Sequence, residues 1–235
     1  MRFAIDAILA AIIIFCTLRG SKTGCINAGI AFLTMLIAFF GGLAISSAAA
    51  PSVAYPLRPF VAGVIDVEVE DKAAAAAGID PVAVDDTIAA SPELLRPYSI
   101  YCLEYIGLHE QRAEHYAPKA QRIYAEYDLD ATTASAHAGA EAVAYATLSV
   151  VFFGLIILLI SLIRQVFGLR FRITDNAEVD IYGGAAFGFL LGFLICTYLC
   201  WLLSFCGHFI GGSSLSDALF GRFFMLPGAV ADVIF

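Results

Sequence analysis

The chain has 235 residues, of which 60% are hydrophobic and 14% charged, and its mean hydropathy is +0.84. Soluble domains carry about 25% charged residues, so this composition excludes an ordinary soluble domain and predicts a membrane protein. The net charge is −8, and the sequence lacks the clustered Lys and Arg that nucleic-acid binding requires. We therefore expect the lipid bilayer, and no nucleic acid, among its partners.

The first two apolar runs cover 3–18 and 25–50, with a short basic turn between them. Two runs joined in this way are unlike a signal peptide, whose single apolar core precedes a cleavage site. The second run is uncharged and meets Pro51, where a helix is expected to stop. We therefore predict a first transmembrane hairpin over residues 1–50.

Residues 51–140 have a different composition, because they contain most of the acids and every proline except Pro227. We predict that they form an acidic extramembrane insertion. Helical spacing within it predicts a helix whose apolar face consists of Ala113, Tyr116, Ala117, Ala120, Ile123, Tyr124 and Tyr127. The tyrosines of the insertion either rest on the membrane interface or pack its helices together.

Two further apolar runs follow, at 142–163 and 180–209. Each is long enough to cross a hydrocarbon core of about 30 Å, which takes about 20 helical residues. They predict a second transmembrane hairpin over 141–209, and four spans in all. For 210–235, the pattern of Ser214, Asp217 and the apolar residues after them predicts a C-terminal amphipathic helix.

Glycines recur at every fourth position of the last run, at Gly184, Gly188 and Gly192. They fall on one helical face, where a second backbone can approach closely. The first or second helix is the expected partner. In the second helix, Gly29 and Gly41 offer small residues with which the three glycines would interlock.

The short connections predict the orientation, because an excess of Lys and Arg marks the cytoplasmic side. Arg19 and Lys22 lie in the first connection, and Arg164, Arg170 and Arg172 lie between the third and fourth helices. Both connections are therefore expected in the cytoplasm. The N-terminus, the insertion and the C-terminal segment then lie on the opposite side.

Two acids border the apolar runs. Asp6 lies within the first helix, and an intramembrane acid marks a functional site by default, although a position near a helix N-terminus also favours negative charge. Asp180 precedes the glycines, where stabilisation of the helix start is the expected role. On the predicted topology the two acids lie on opposite sides of the membrane and share no contact.

No motif predicts a catalytic residue, a cofactor or a metal site. Five of the six cysteines lie in or beside apolar helices, where cysteine behaves as a small hydrophobic residue. The spacing of His109, Glu110, Glu114 and His115 differs from the zinc motif with two histidines on one helical face. Ser213 and Ser214 lack the nucleophile elbow of serine hydrolases.

Taken together, the pattern resembles the colicin V production (CvpA) family of bacterial inner-membrane proteins. The resemblance covers roughly residues 1–60 and 140–225, and it rests on Asp6, Arg19, Gly20, Gly24, Gly29, Asp180, Gly184, Gly188 and Gly192. It implies a multi-pass protein of the bacterial cytoplasmic membrane, involved in colicin V production or export and in envelope physiology. The long acidic insertion departs from the family pattern, and the resemblance implies no catalytic residue.

The sequence thus predicts an all-α polytopic membrane protein that is not an enzyme and acts through helix-mediated assembly, with itself or with a membrane partner. Two other classes stay open. In a small pore or transport component, the glycine faces and Asp6 would line a pathway. An intramembrane thiol or metal enzyme would contain bound metal or a redox-active thiol pair.

Overall fold

The computed structural model describes residues 2–65, 67–166, 177–206 and 223–224. These residues are almost entirely helical, and no strand occurs among them. The helices are α1 (Arg2–Thr23), α2 (Cys25–Ala62), α3 (Val67–Ala77), α4 (Val84–Ala90), α5 (Leu95–Ile106), α6 (Glu110–Tyr127), α7 (Ala131–Val166) and α8 (Ala177–Leu203). Short 3-10 turns at Pro81–Ala83 and Pro92–Leu94 precede α4 and α5.

Four of these helices, α1, α2, α7 and α8, are long and apolar enough to cross a membrane. The mean hydropathy of their most apolar windows runs from 2.0 to 2.8. The predicted all-α, polytopic fold is therefore confirmed for the described part of the chain. The predicted amphipathic helix at 210–235, together with Arg170 and Arg172, lies outside the described residues apart from Phe223 and Phe224.

The predicted end of the second helix at Pro51 is wrong, because α2 continues to Ala62 with three prolines inside it. A proline in a helix interior costs about 3 kcal/mol, since it removes a hydrogen bond and crowds the preceding turn. Burial offsets this cost, because Ala50, Ala54 and Val61 are each at most 7% exposed. Tertiary packing therefore overrides the local preference to stop.

The third spanning helix begins earlier than the apolar run predicts, at Ala131 instead of near residue 142. Two carboxylates stabilise this start: Asp85 Oδ1 accepts a hydrogen bond from Ala131 N at 3.0 Å, and Asp130 Oδ2 accepts one from Thr133 N at 2.9 Å. The added turns are rich in alanine, and they are fully buried at Ala131, Ala134, Ala136, Ala138 and Ala140.

The chain forms two compact units. Unit 1 comprises Met1–Ser47, Leu148–Leu202 and Ser213–Phe235, and unit 2 comprises Ala48–Thr147 and Leu203–Gly212. The boundary falls inside α2 and α7, which have 38 and 36 residues. At 1.5 Å per residue each helix is more than 50 Å long, so both must extend beyond a hydrocarbon core of about 30 Å.

In unit 2, α5 packs against α3 and α6. The helix predicted from the alanine and tyrosine spacing is confirmed as α6, which buries Ala113, Tyr116, Ala117 and Ala120. The tyrosines of this unit divide: Tyr98 and Tyr116 are buried, whereas Tyr105 and Tyr127 are exposed. Tyr98 Oη forms a hydrogen bond with Thr132 Oγ1 at 2.8 Å, which ties α5 to the start of α7.

Candidate functional site: the α1–α8 seam

Helices α1 and α8 of unit 1 contact each other along one line, which we call the α1–α8 seam. Residue numbers fall along α1 as they rise along α8, so the two helices are antiparallel. The seam pairs Gly20 with Gly184, Cys16 with Gly188, Ile13 with Gly192 and Leu9 with Cys196. Every α8 member is a glycine or a cysteine, spaced four residues apart on one face.

The seam brings the two backbones into direct contact. A methyl group placed on Gly20 would lie 2.8 Å from Gly188 Cα, and one placed on Gly192 would lie 2.9 Å from Ile13 Cα. A methyl group on Gly184 or Gly188 would collide with a carbonyl oxygen of α1. Because lipid provides no hydrophobic drive between helices, this close packing is what holds α1 against α8.

The turn between α1 and α2 consists of one residue, Gly24, with φ +84°. This left-handed conformation favours glycine, and the Gly24 N–H donates to Gly20 O at 3.2 Å to end α1. Glycine is also required at this position for a steric reason. A methyl group on Gly24 would lie 2.6 Å from Asp180 Oδ2, so glycine also makes room for this carboxylate.

Asp180 lies in the first turn of α8, and its side chain also caps the start of a second helix, α2. Its Oδ1 accepts a hydrogen bond from Cys25 N, the first residue of α2, at 2.7 Å. A carboxylate at this position satisfies a backbone N–H that has no partner within the helix, and it interacts favourably with the positive end of the helix dipole. One side chain in the first turn of α8 thus holds the α1–α2 turn.

The other predicted packing glycines lie away from the seam. A methyl group on Gly29 would contact the Phe187 ring at 3.4 Å, and one on Gly41 would lie 3.3 Å from Ile156 Cδ1. The three α8 glycines therefore do not interlock with Gly29 and Gly41, and their partner is α1. Sequence reasoning also missed Gly42, which approaches the backbone of Phe153 on α7; its position beside Gly41 was the available signal.

Asp6 and Arg19 lie on α1 but outside the pairs that form the seam. Asp6 is half-buried, whereas Arg19 is exposed. Asp6 is near the end of the seam marked by Leu9, and Asp180 is at the end marked by Gly20. The two acids are therefore at opposite ends of α1 and share no contact.

An aromatic cluster joins α2, α7 and α8 within unit 1. Tyr198 stacks on Phe153 with ring centroids 4.2 Å apart and on Trp201 at 5.9 Å, and Phe39 meets it edge-on at 5.7 Å. Trp201 is only 1% exposed. Aromatic pairs in these geometries add about 0.5–1.5 kcal/mol each beyond the area that they bury.

In unit 2, α6 holds the residues that follow α8. His109 N donates to Ser204 O at 2.9 Å, and Arg112 Nε donates to Ser204 Oγ at 2.8 Å. The Arg112 guanidinium also lies over the Phe205 ring, 4.7 Å from its centroid. His109 Nδ1 accepts from Gln111 N, so this histidine caps α6.

Among the described residues, no group of three or more His, Cys, Asp or Glu side chains is arranged to hold a metal ion.

Unit 2 also contains a cavity of about 540 Å³ beside α3, α4 and the start of α7. Five acids line it: Glu70, Asp71, Asp85, Asp86 and Asp130. Two of these, Asp85 and Asp130, cap α7. Next to it, burial raises the pKa of the Cys102 thiol to about 12, and the nearby charge of Glu70 adds to the effect.

Comparisons of this chain with protein-family models, with curated proteins and with solved structures give no match.

Proposed function

We propose that this protein is a non-enzymatic, multi-pass protein of the bacterial cytoplasmic membrane that acts by assembling with itself or with a membrane partner. The family resemblance of its membrane helices connects this role with colicin V production or export. In this proposal unit 1 is the membrane anchor, and unit 2 supplies a helical surface outside the hydrocarbon region.

The observation that carries the proposal is the α1–α8 seam. Its glycines are covered by the α1 backbone of the same chain, so they serve to build the anchor. A pathway for ions along this face would require space between the two helices. Because a single added methyl group would already collide there, such a pathway would require α1 to separate from α8. This favours an assembly role over the pore.

Since the glycine face is used within one chain, assembly must use other surfaces. Helix α6 offers one, because it buries one face and exposes polar side chains on the other at Glu110, Gln111, Glu114, Arg122 and Glu126. Such a surface suits a partner outside the hydrocarbon, where polar contacts provide specificity.

Two measurements test the proposal. The purified protein in liposomes should pass no more ions or small solutes than empty liposomes, and a flux above that level would favour the pore. In a bacterial strain that lacks its own CvpA-type protein, the chain should restore colicin V secretion. Failure to restore secretion by a chain that inserts normally would remove the link to colicin V.

The enzyme alternative has its own measurement. Elemental analysis of the purified protein would reveal a bound metal, and thiol counting before and after reduction would reveal a redox-active pair. The chain has six cysteines, and we expect all six to be counted as free thiols both before and after reduction. A stoichiometric transition metal would overturn the non-enzymatic proposal.

A further inference from the structure

Besides the α1–α8 seam, unit 1 contains a groove of about 300 Å³ between α2, α7 and α8. None of the residues that line this groove is among those on which the family resemblance rests. Its walls are mainly apolar and include Met35 of α2, Ile160 of α7 and Leu191 of α8. These residues are neither fully buried nor fully exposed, so the groove communicates with the surroundings of the helices. We call it the lateral groove.

We expect lipid around the lateral groove, because all three helices are long and apolar enough to span a membrane and the apolar walls belong to their uncharged runs. Water is a poor occupant, since an ordered water needs two to four polar partners. Of the hydroxyl groups in the walls, that of Thr34 already donates to Ile30 O at 2.8 Å. A hydrocarbon chain matches such walls.

One end of the lateral groove is charged. Arg164 lies in the last turn of α7 and is half-buried, and Ser161 precedes it by three residues on the same helical face. Among the described residues, no carboxylate forms an ion pair with Arg164. A guanidinium can bind a phosphate through two parallel hydrogen bonds.

The groove therefore combines apolar walls with Arg164, the one cation among its described lining residues, at one end, and this arrangement is complementary to a phospholipid with an anionic head and an apolar chain. We propose that the lateral groove binds an anionic phospholipid, with its phosphate on Arg164 and one acyl chain along Ile160, Met35 and Leu191. The predicted topology agrees with this ligand, because it places Arg164 at the cytoplasmic leaflet, where anionic lipids attract basic residues. The proposal rests on the membrane spans and does not depend on the proposed function.

The test uses the full chain, purified in a zwitterionic detergent. Native mass spectrometry would compare binding of phosphatidylglycerol and phosphatidylcholine with identical acyl chains. We expect preferential binding of phosphatidylglycerol and about tenfold weaker binding by Arg164→Gln, the loss expected for a charge-assisted hydrogen bond. Inorganic phosphate should not displace the lipid, because the acyl chain contributes to binding.

Two controls make the test specific. Arg19→Gln removes a cation from the same predicted side of the membrane but outside the groove, so it should leave binding unchanged. Ala31→Leu narrows the groove and should weaken binding of both lipids, without lowering the melting temperature measured in the absence of lipid. Equal phosphatidylglycerol binding by wild type and Arg164→Gln would overturn the proposal, as would an equal loss in Arg19→Gln.

Discussion

Asp180 and Cys25 are 155 residues apart in the chain, yet Asp180 Oδ1 accepts the backbone hydrogen bond of Cys25 at 2.7 Å. Through this bond the start of α8 holds the start of α2, at the turn where Gly24 connects α1 to α2. The bond therefore fixes three of the four spanning helices at one end of the α1–α8 seam. Its removal should therefore cost stability at the upper end of the range for the loss of one cap.

We expect Asp180→Ala to lower the free energy of unfolding by about 1–2 kcal/mol, the upper range for losing an N-cap. Asp180→Asn keeps an acceptor and should cost less. The measurement is thermal unfolding in detergent. Glu178→Ala is the matched control, because Glu178 is an exposed acid in the same turn. Equal losses in Asp180→Ala and Glu178→Ala would contradict the role of the Asp180–Cys25 bond.

The seam itself is tested by two alanine substitutions in spanning helices. Gly188→Ala should cost about 1–3 kcal/mol, because its methyl group collides with the Cys16 carbonyl and forces α1 away from α8. Gly154→Ala should be neutral or stabilising by up to about 1 kcal/mol, because nothing lies within 4 Å of the added methyl group and alanine is the better helix former.

A second pair of substitutions, Gly188→Leu and its control Phe189→Leu, extends this test from stability to function. Gly188→Leu should still insert, because it makes the helix more apolar, but it should unfold at a lower temperature. Under the proposed function, it should also support less colicin V secretion. Phe189→Leu should be tolerated, since Phe189 is 48% exposed and points away from the seam. Unchanged stability and secretion in Gly188→Leu would show that the α1–α8 contact is dispensable.

The turn at Gly24 is compared with a second glycine of positive φ. Gly24→Ala and Gly78→Ala both place a side chain in the left-handed region, at a strain of about 1–2 kcal/mol. Only Gly24→Ala also displaces a carboxylate, because nothing lies within 4 Å of a methyl group on Gly78. We therefore expect the larger drop in melting temperature for Gly24→Ala, and equal drops would count against the Asp180 contact.

The raised pKa of Cys102 predicts a loss of stability at high pH. Its ordinary value is 9.0, and burial raises the pKa in the folded protein to about 12. Between these values the unfolded chain releases the thiol proton while the folded chain keeps it, so stability is complete below pH 9 and falls as pH rises. The slope for one group is at most about 1.4 kcal/mol per pH unit.

Thermal unfolding at about pH 8 and about pH 10.5 measures this loss. Cys102→Ala should show a smaller drop between the two conditions than the wild type. Burial also raises the pKa of Tyr98, so part of the drop should persist in the variant. An identical drop in both proteins would show that Cys102 does not titrate in this way.

The predicted orientation can be tested by labelling introduced cysteines in intact cells, in a Cys206→Ser background that removes the exposed native thiol. A cysteine at Val82, which is 94% exposed, should react with a membrane-impermeant reagent, whereas one at Ser21 should be protected. The reverse pattern would overturn the orientation and the side of the membrane assigned to unit 2.

Sequence alone was sufficient for the class of fold and for the four helices of the described residues that are long and apolar enough to span a membrane. The transfer of an apolar segment into a bilayer depends on its own length and composition, so each of the four runs predicts a span without knowledge of its neighbours. Helical spacing likewise predicted α6, because the apolar residues that form its buried face recur at helical spacing in the sequence. Glycine spacing predicted which face of α8 approaches a second helix.

Only the tertiary structure decided which helix packs against the glycine face of α8. Small residues occur on both α1 and α2, so local patterns cannot choose between Gly20 and Gly41 as neighbours of α8, whereas the packed helices select Gly20. The continuation of α2 through Pro51 follows from burial of Ala50 and Ala54, which compensates a local cost. The bond from Asp180 to Cys25 joins distant parts of the chain, and such a contact exists only once three helices have packed together.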